Sequence, residues 1–478
     1  MTQAFTFVHA ADLHLDALLP GPLPSVMPDE GQKPFYALLE EAVFLALERL
    51  TRLCLEREAA FLLLAGDVFH LQSGGSLKAH FALRDACAAL GDRGVRVFWA
   101  RGNHDPAHLR PPAVRWPDNL HIFSPAGDIF KLDGQGGSLA EIRGQSHAGP
   151  GENRPLARLL AGRESALPVP DHALFSIGVL HCAVNGRHGS HARYAPCNLG
   201  DFQGAGAPRY WALGHVHTPA ILADDPLVIY PGSPQGLHIN ESGAHGCYVV
   251  RVDASGRAEA EFVPLAPVRW ERLDVDLDAL VPEGIPEDEE TGALDGELGL
   301  ERLEEAILAR LELEAEKTAG ESALALVGRL ELRGRSPLGR LLRQGDNLEA
   351  FTLRLNQTLS RHEAACPGVA ARSRVKDMLL KTGPDVDVQA LRRSDNLAGE
   401  TLRQAEALAA LLEDQAGQGG GASPAALPPE LAASLPQGLA ELYEDRRFQR
   451  HLPAPEAEEL AAMAREAAGL CLDMFEVE

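Results

Sequence analysis

The sequence predicts a layered α/β domain that leads into a smaller α+β region, and three observations carry that expectation. Short β-rich runs recur through the first half of the chain, with long helical patterns between the early ones, the alternation expected of an α/β layer. Coordinating polar residues stand at the ends of those runs rather than inside them. After residue 270 the composition changes, an acidic stretch being followed by an arginine-rich one.

Taken in order, the first run is Phe5 to His9, followed by a helical pattern from Pro34 to Glu58. Ala60 to Ala65 is apolar and short, as a buried strand is, and Leu77 to Leu90 is helical again. Further strands are predicted at Val95 to Ala100, Ser176 to His181, Tyr210 to Leu213 and Leu227 to Tyr230. "GCYVVRVDASGRAEAEFVPL" (246 to 265) reads as a hairpin turning at Asp253 to Gly256. From Glu271 to Glu316 there are 17 Asp or Glu against three Arg. "LEEAILARLELEAEK" (303 to 317) in that stretch is an amphipathic helix too short for several coiled-coil heptads. "GRLELRGRSPLGRLLRQ" (328 to 344) is arginine-rich, with a strand pattern from Ala323 to Leu332. The domain expectation is therefore 1–268 for the α/β domain and 269–360 for an α+β capping domain. A helical segment (361–414), a flexible Gly/Ala/Pro/Ser linker (415–438) and a C-terminal helical segment (439–478), which either docks a partner or packs on its own domain, complete it. That last helix is drawn from the spacing of Leu460, Met463, Ala467, Leu470 and Met474.

Composition limits the function. At 478 residues, with 45% hydrophobic and 23% charged residues, the chain is an ordinary globular protein of two or three domains. No apolar run approaches the roughly 18 residues of a membrane span. The seven cysteines (Cys54, Cys87, Cys182, Cys197, Cys247, Cys366, Cys471) are odd in number and contain no CxxC pair, which predicts reduced thiols and a cytoplasmic location. A net charge of −24 is not that of a bulk nucleic-acid binder, although a basic stripe or bound cations can reverse the field locally.

The strand ends carry the chemistry. "HAADLHLD" gives Asp12 and His14, "AGDVFH" gives Asp67 and His70, and "ARGNHDP" gives Asn103, His104 and Asp105. The fourth strand ends at His181, and the fifth runs into "LGHVH" with His215 and His217. Each fragment alone is a common turn or a half-buried histidine. Together they stand at the carboxyl ends of strands, where open α/β sheets bind ligands. Carboxylates, an amide oxygen and imidazoles suit Mn²⁺, Fe²⁺ or Zn²⁺, and the donors are too many for one tetrahedral ion. A bridging carboxylate would hold two ions roughly 3.5–4 Å apart, as in phosphoester hydrolysis.

The series DLH, GDVFH, GNHD, His181 and GHVH resembles the calcineurin-like metallophosphoesterase superfamily over the first 240 residues. "AADLHLD", "GDVFH", "YWALGHVH" and "YPGSPQGLHINESGAHGCYVVRV" are similar to the SbcD-like DNA nucleases, and particularly to the YhaO-type DNA repair exonucleases. The resemblance implies a four-layer α-β-β-α sandwich with a smaller α+β cap domain and a helical C-terminal region. It implies Asp12, His14 and His217 on one metal, Asn103, His181 and His215 on the other, and Asp67 bridging. His104 matches the family's catalytic histidine, Asp105 would fix its ring, and His70 matches a phosphate-contacting histidine of the nuclease branch. Two divalent ions are implied, with Mn²⁺ expected and Fe²⁺ or Zn²⁺ as alternatives.

Three functions compete. A DNA exonuclease or endonuclease is favoured by the resemblance and by Arg329, Arg333, Arg335, Arg340 and Arg343, of which Arg335 and Arg340 are the candidate phosphate grips. On charge alone that run is a solvated face pairing with the acidic stretch before it. A small-molecule phosphodiesterase or phosphatase needs no separate cap, so the region after 270 counts against it. A scaffold with a degenerate site is opposed by the full ligand series. The resemblance further implies DNA as substrate and a coiled-coil ABC-type ATPase as partner, and homodimerisation is common among such nucleases; no membrane is expected, for want of an apolar span.

Overall fold

The computed structural model describes residues 4–21, 33–71, 75–109, 114–134, 137–162, 167–184 except 172, 194–280 except 205, 296–319, 323–365, 372–382 and short pieces of 392–407. The expected linker 415–438 and the expected C-terminal helical segment after it lie outside the described residues. The chain divides into two compact units. Unit 1 comprises Met1–Leu273, Ile307–Leu330 and Thr352–Met378, and unit 2 comprises Asp274–Ala306, Glu331–Phe351 and Leu379–Glu478.

Twelve strands of unit 1 make two six-stranded sheets. They are β1 (Phe5–Ala10), β2 (Phe61–Ala65), β3 (Arg96–Ala100), β4 (Leu120–Ile122), β5 (Asp128–Gly134), β6 (Gly137–Gly144), β7 (Phe175–His181), β8 (Tyr210–Gly214), β9 (Ala220–Asp224), β10 (Leu227–Tyr230), β11 (Gly246–Val252) and β12 (Ala258–Pro264). One sheet runs β12-β11-β1-β2-β3-β4 and the other β5-β6-β7-β8-β10-β9. β1, β2, β3 and β4 are mutually parallel, as are β6, β7, β8 and β10. Their carboxyl ends therefore share one edge in each sheet.

Helices α1 (Lys33–Glu56) and α2 (Leu77–Gly91) supply the crossovers β1-to-β2 and β2-to-β3. Phe35, Leu39, Val43, Leu47, Leu50 and Leu53 recur at helical spacing on the buried stripe of α1. Ser76 caps α2 by accepting from the Ala79 amide at 3.4 Å. These helices cover the outer face of the first sheet through a core including Leu50, Leu64, Leu83 and Trp99. The two sheets meet through Phe7, Phe61, Phe98, Ile177, Tyr210 and Val250. The short α3 (Leu156–Leu160) and Phe202 cover the far face of the second sheet around Trp211 and Leu213. The result is the expected α-β-β-α layering.

β13 (Val268–Asp276), β14 (Ala325–Gly334) and β15 (Arg372–Thr382) form a further three-stranded sheet. In unit 1, Val268, Trp270, Ala325 and Val327 join Phe35, Leu39 and Val43 in one apolar cluster. α4 (Gly296–Ala319) contains the amphipathic helix expected at 303 to 317; α5 (Pro337–Arg343) and α6 (Asn347–Ala365) follow β14. The expectation of helix throughout 361–414 is corrected by β15. Its Val375 and Met378 are buried in a strand that pairs beside β14, so tertiary pairing overrides a sequence with little β-branching.

Phe7 anchors the inter-sheet core. Its ring stacks on Phe61 with centroids 5.0 Å apart and meets Tyr210 edge-on at 5.0 Å. Phe7→Ala should cost about 3–5 kcal/mol, read as a lower urea midpoint at unchanged m-value. A loss below about 1 kcal/mol would show that the sheets repack without it.

Candidate metal centre

The parallel strands bring the predicted residues to one place. Asp12 and His14 follow β1, Asp67 follows β2, Asn103 follows β3, His181 ends β7, and His215 and His217 follow β8. Backbone bonds bind the first two loops together: the Asp12 amide donates to Gly66 O (3.0 Å) and the His14 amide to Asp67 O (3.1 Å). The His215 amide donates to Asp12 Oδ2 at 3.0 Å, which joins the β8 loop to the β1 loop.

Two donor groups result. Asp12, His14 and His217 present ligand atoms within 4.8 Å of one another, and so do Asp12, Asp67 and His181. Asp12 is common to both, and Asp67 stands in the second. His181 Nε2 lies 3.2 Å from Asp67 Oδ2 and 3.0 Å from Asn103 Oδ1. The His215 ring lies 5.2 Å from that of His181. Five of the seven expected ligands thus stand in the two donor groups, while Asn103 and His215 stand beside His181.

The backbone is distorted where these residues sit. Among the described residues six non-glycine positions have positive φ, and Asp12 (52°), His14 (43°), Asp67 (49°) and His215 (108°) are four of them. Such conformations cost roughly 1 kcal/mol or more each and persist only where surrounding structure fixes them. Two glycines explain the spacing of the motifs. A Cβ on Gly66 (φ 96°) would lie 2.3 Å from His181 Nδ1, and one on Gly102 would lie 2.2 Å from Asp67 Oδ1. Each ligand loop passes so close to the next ligand that no side chain fits.

Charge completes the description. Asp12 and Asp67 are buried with almost no exposure. Burial raises the Asp12 carboxyl to about 6 against the pull of His181 and His217. Burial acts upward on Asp67 as well, but the adjoining His181 outweighs it and holds this carboxyl well below the usual range. Burial would depress His181 and His217; the Asp67 carboxylate raises the first to about 9, and the Glu241 hydrogen bond raises the second to about 9. His14 Nε2 lies 3.3 Å from His217 Nε2, so one ring donates and the other accepts. Burial and the His217 charge push His14 down to about 3, and burial with the His181 charge does the same to His215. Two buried carboxylates ringed by imidazole nitrogens fit divalent cations. Such a set is costly to bury unless positive charge is supplied.

His104 and His70 sit at the opening. The His104 ring is 31% exposed, its Nε2 is 4.0 Å from Asp67 Oδ2, and its centroid is 4.1 Å from that of His70. Asp105 departs from its expected role of fixing the His104 ring. Its Oδ1 accepts from the Gly102 amide (2.6 Å), and its Oδ2 accepts from Val68 (2.8 Å) and Phe69 (3.4 Å). His104 Nδ1 has no hydrogen-bond partner. Asp105 thus fastens the β2 loop to the β3 loop, because buried backbone amides with no other acceptor claim its oxygens.

Sequence reasoning missed two supporting residues. Glu241 Oε1 accepts from His217 Nδ1 at 2.8 Å, while its Oε2 accepts from the Leu237 amide at 2.7 Å. It lies in the "NESG" part of a stretch that carries the resemblance, but only the fold gives Glu241 its role. Buried His147 donates from Nε2 to His181 O at 2.6 Å; it follows β6, a strand with no clear sequence signal. The candidate grips Arg335 and Arg340 lie in unit 2, where Arg333 pairs with Asp274 (2.8 Å) and with Glu331, and Arg343 bonds Thr382.

Fold and site together define the class. Residues 5–219 match the family described as calcineurin-like phosphoesterase, a class that uses divalent metals, and both donor groups fall inside that stretch. The chain is also 36% identical over 282 residues to a Bacillus subtilis (strain 168) protein described as "Uncharacterized metallophosphoesterase YhaO". That similarity covers 58% of this chain and 64% of the relative, less than two thirds of the relative's length. No helix among the described residues is long and apolar enough to cross a membrane, and Cys54, Cys87, Cys182, Cys197 and Cys247 are free thiols.

Two outcomes follow from this geometry. Glu241→Ala should weaken the tighter of the Mn²⁺ affinities, or the weaker, by about 10–100-fold while leaving the other near its original value. Calorimetric titration of this variant beside the original chain checks this, and two unchanged affinities would remove Glu241 from the supporting shell. Asp105→Ala should destabilise the protein by about 2–5 kcal/mol, since buried amides lose their acceptor. A urea midpoint equal to the original would show that the loops hold without it.

Proposed function

We propose that this chain is a metal-dependent phosphodiesterase acting on DNA, with Mn²⁺ as the working ion. The observation that supports the reading most is the pair of donor groups sharing Asp12, with the partly exposed rings of His104 and His70 beside them. On this reading Asp12, His14 and His217 would hold one ion and Asn103, His181 and His215 the other, with Asp67 expected to serve both, although Asp12 is the carboxylate common to the two donor groups. When bound, the two cations supply charge that neutralises the phosphoryl oxygens and makes a water a better nucleophile near neutral pH.

The remaining chemistry belongs to the side chains. His181 donates from Nδ1 to Ala65 O (3.0 Å), and His217 donates from Nδ1 to Glu241; each leaves its Nε2 facing the centre. His104 is lowered by burial, opposed by Asp67, so its ring is neutral at neutral pH. It then hydrogen-bonds a phosphoryl or leaving-group oxygen over Asp67, whose Oδ1 accepts from the His104 amide at 2.9 Å. His70 adds a second imidazole beside it.

DNA rather than a small ester is supported by the motifs shared with SbcD-like nucleases. So are DNA repair as the setting, exonucleolytic cleavage, a cytoplasmic location, a coiled-coil ABC-type ATPase as partner and self-association. The test is Mn²⁺-dependent digestion of end-labelled duplex and single-stranded DNA beside bis-p-nitrophenyl phosphate. Cleavage of DNA that chelation abolishes is expected; hydrolysis of the small ester alone would move the reading to a small-molecule phosphodiesterase.

His104→Gln separates chemistry from metal binding. Both ions should remain, while single-turnover cleavage falls by roughly 10²–10⁴. Lost metal, or cleavage at the original rate, would refute the assignment.

A further inference from the structure

The segment 237–241 joins the metal centre to an arginine that keeps its charge. Glu241 Oε1 holds His217, and on the same carboxylate oxygen sits His238 Nε2 at 3.4 Å; the His238 side chain is 50% exposed. Next to Glu241, exposed Asn240 accepts at Oδ1 from Arg272 Nη2 at 2.6 Å and from Arg329 Nη1 at 3.4 Å.

The neighbouring arginines differ in what neutralises them. Asp377 takes Arg329 through two contacts of 2.5 and 2.8 Å, and Glu271 takes Arg269 at 2.5 Å. Among the described residues no carboxylate lies within ion-pair distance of Arg272, whose hydrogen bond goes to a neutral amide. Asn240 thus orients the guanidinium without cancelling its charge, where a carboxylate would do both. Arg272 is exposed, so its other nitrogens can face a solvent-borne anion. A guanidinium held by one edge presents the remaining edge as a bidentate phosphate donor. In a chain of net charge −24, a polyanion approaching the site needs such an uncompensated cation close by.

We infer that Arg272, oriented by Asn240 and flanked by His238, contacts a backbone phosphate next to the scissile one and so favours a polynucleotide strand over a small diester. The inference rests on the phosphodiesterase reading above. It places the strand on the His217 side of the centre, where 237–241 reaches both the metal-side imidazole and the cation.

The test compares Arg272→Gln and Arg272→Lys with the original chain. It measures kcat/KM on a single-stranded oligonucleotide across a NaCl titration, and on bis-p-nitrophenyl phosphate. For Arg272→Gln the oligonucleotide-to-small-ester ratio should fall about tenfold. Its log–log salt slope should shallow by about 0.7, one phosphate contact on a single strand. Arg272→Lys, retaining the charge, should recover the slope and part of the ratio. An oligonucleotide ratio and slope equal to the original in Arg272→Gln would overturn the inference. So would a parallel loss on both substrates, which places the effect at the metal centre. An original chain that hydrolyses the small ester but no oligonucleotide fails the DNA reading itself, a result distinct from either.

Discussion

Two carboxylates, Asp12 and Asp67, are buried within reach of one another, and much of the first unit is arranged around making that tolerable. Like charges in a low-dielectric interior repel strongly, and neither group can regain water. His181 lies within ion-pair distance of both, and His217 lies 3.9 Å from Asp12. Protonated, these two imidazoles carry the compensating charge; a divalent cation held there would take over that work and would need them neutral. The same electrostatic requirement explains why two raised and two lowered histidines stand side by side. Only some can be protonated at once.

Such a cluster needs a frame that does not relax. Parallel pairing of β1 with β2 and β2 with β3 sets Asp12, Asp67 and Asn103 side by side, while β7 and β8 deliver His181 and His215 from the facing sheet. The aromatic layer of Phe7, Phe61, Phe98 and Tyr210 fixes the spacing between the sheets. His9 joins the sheets a turn below the centre, donating from Nε2 to Leu213 O and accepting from the Tyr210 hydroxyl. Against that packing, left-handed backbone at four site residues is a modest cost. Asp105 then locks the two loops carrying Asp67 and Asn103, although it comes no nearer the chemistry than that.

The site was legible because its donors follow apolar runs that are hard to mistake. Phe61–Ala65 and Phe175–His181 are buried along their whole length, and a ligand comes directly after or at the end of each. Legibility stopped where burial is partial or the partner is remote. β5 is mostly half-exposed and β4 has three residues, so neither shows a period, and His147 beyond β6 went unread with them. α6 buries Phe351, Leu355 and Leu359 at a spacing of four, a helical signal that was present and passed over. Asp105 was misread for a different reason. The resemblance implies that it fixes the His104 ring, whereas the carboxylate turns away to amides 36 and 37 residues upstream, which no local pattern encodes.

A net charge of −24 looks unsuited to a phosphodiester substrate until the charges are placed. Much of the acidity and basicity beyond residue 270 cancels locally: Arg333 with Asp274 and Glu331, Lys381 with Glu331, Arg329 with Asp377. Charges neutralised pairwise in this way contribute little to a field felt at a distance. At the centre the balance is different. On the proposed reading, two divalent ions against Asp12 and Asp67 would leave roughly two positive charges in a pocket poorly screened by water. What reaches an incoming phosphate is therefore set by a few buried groups and any nearby cation left unpaired. The sign of the whole chain matters far less than which of its arginines have been neutralised.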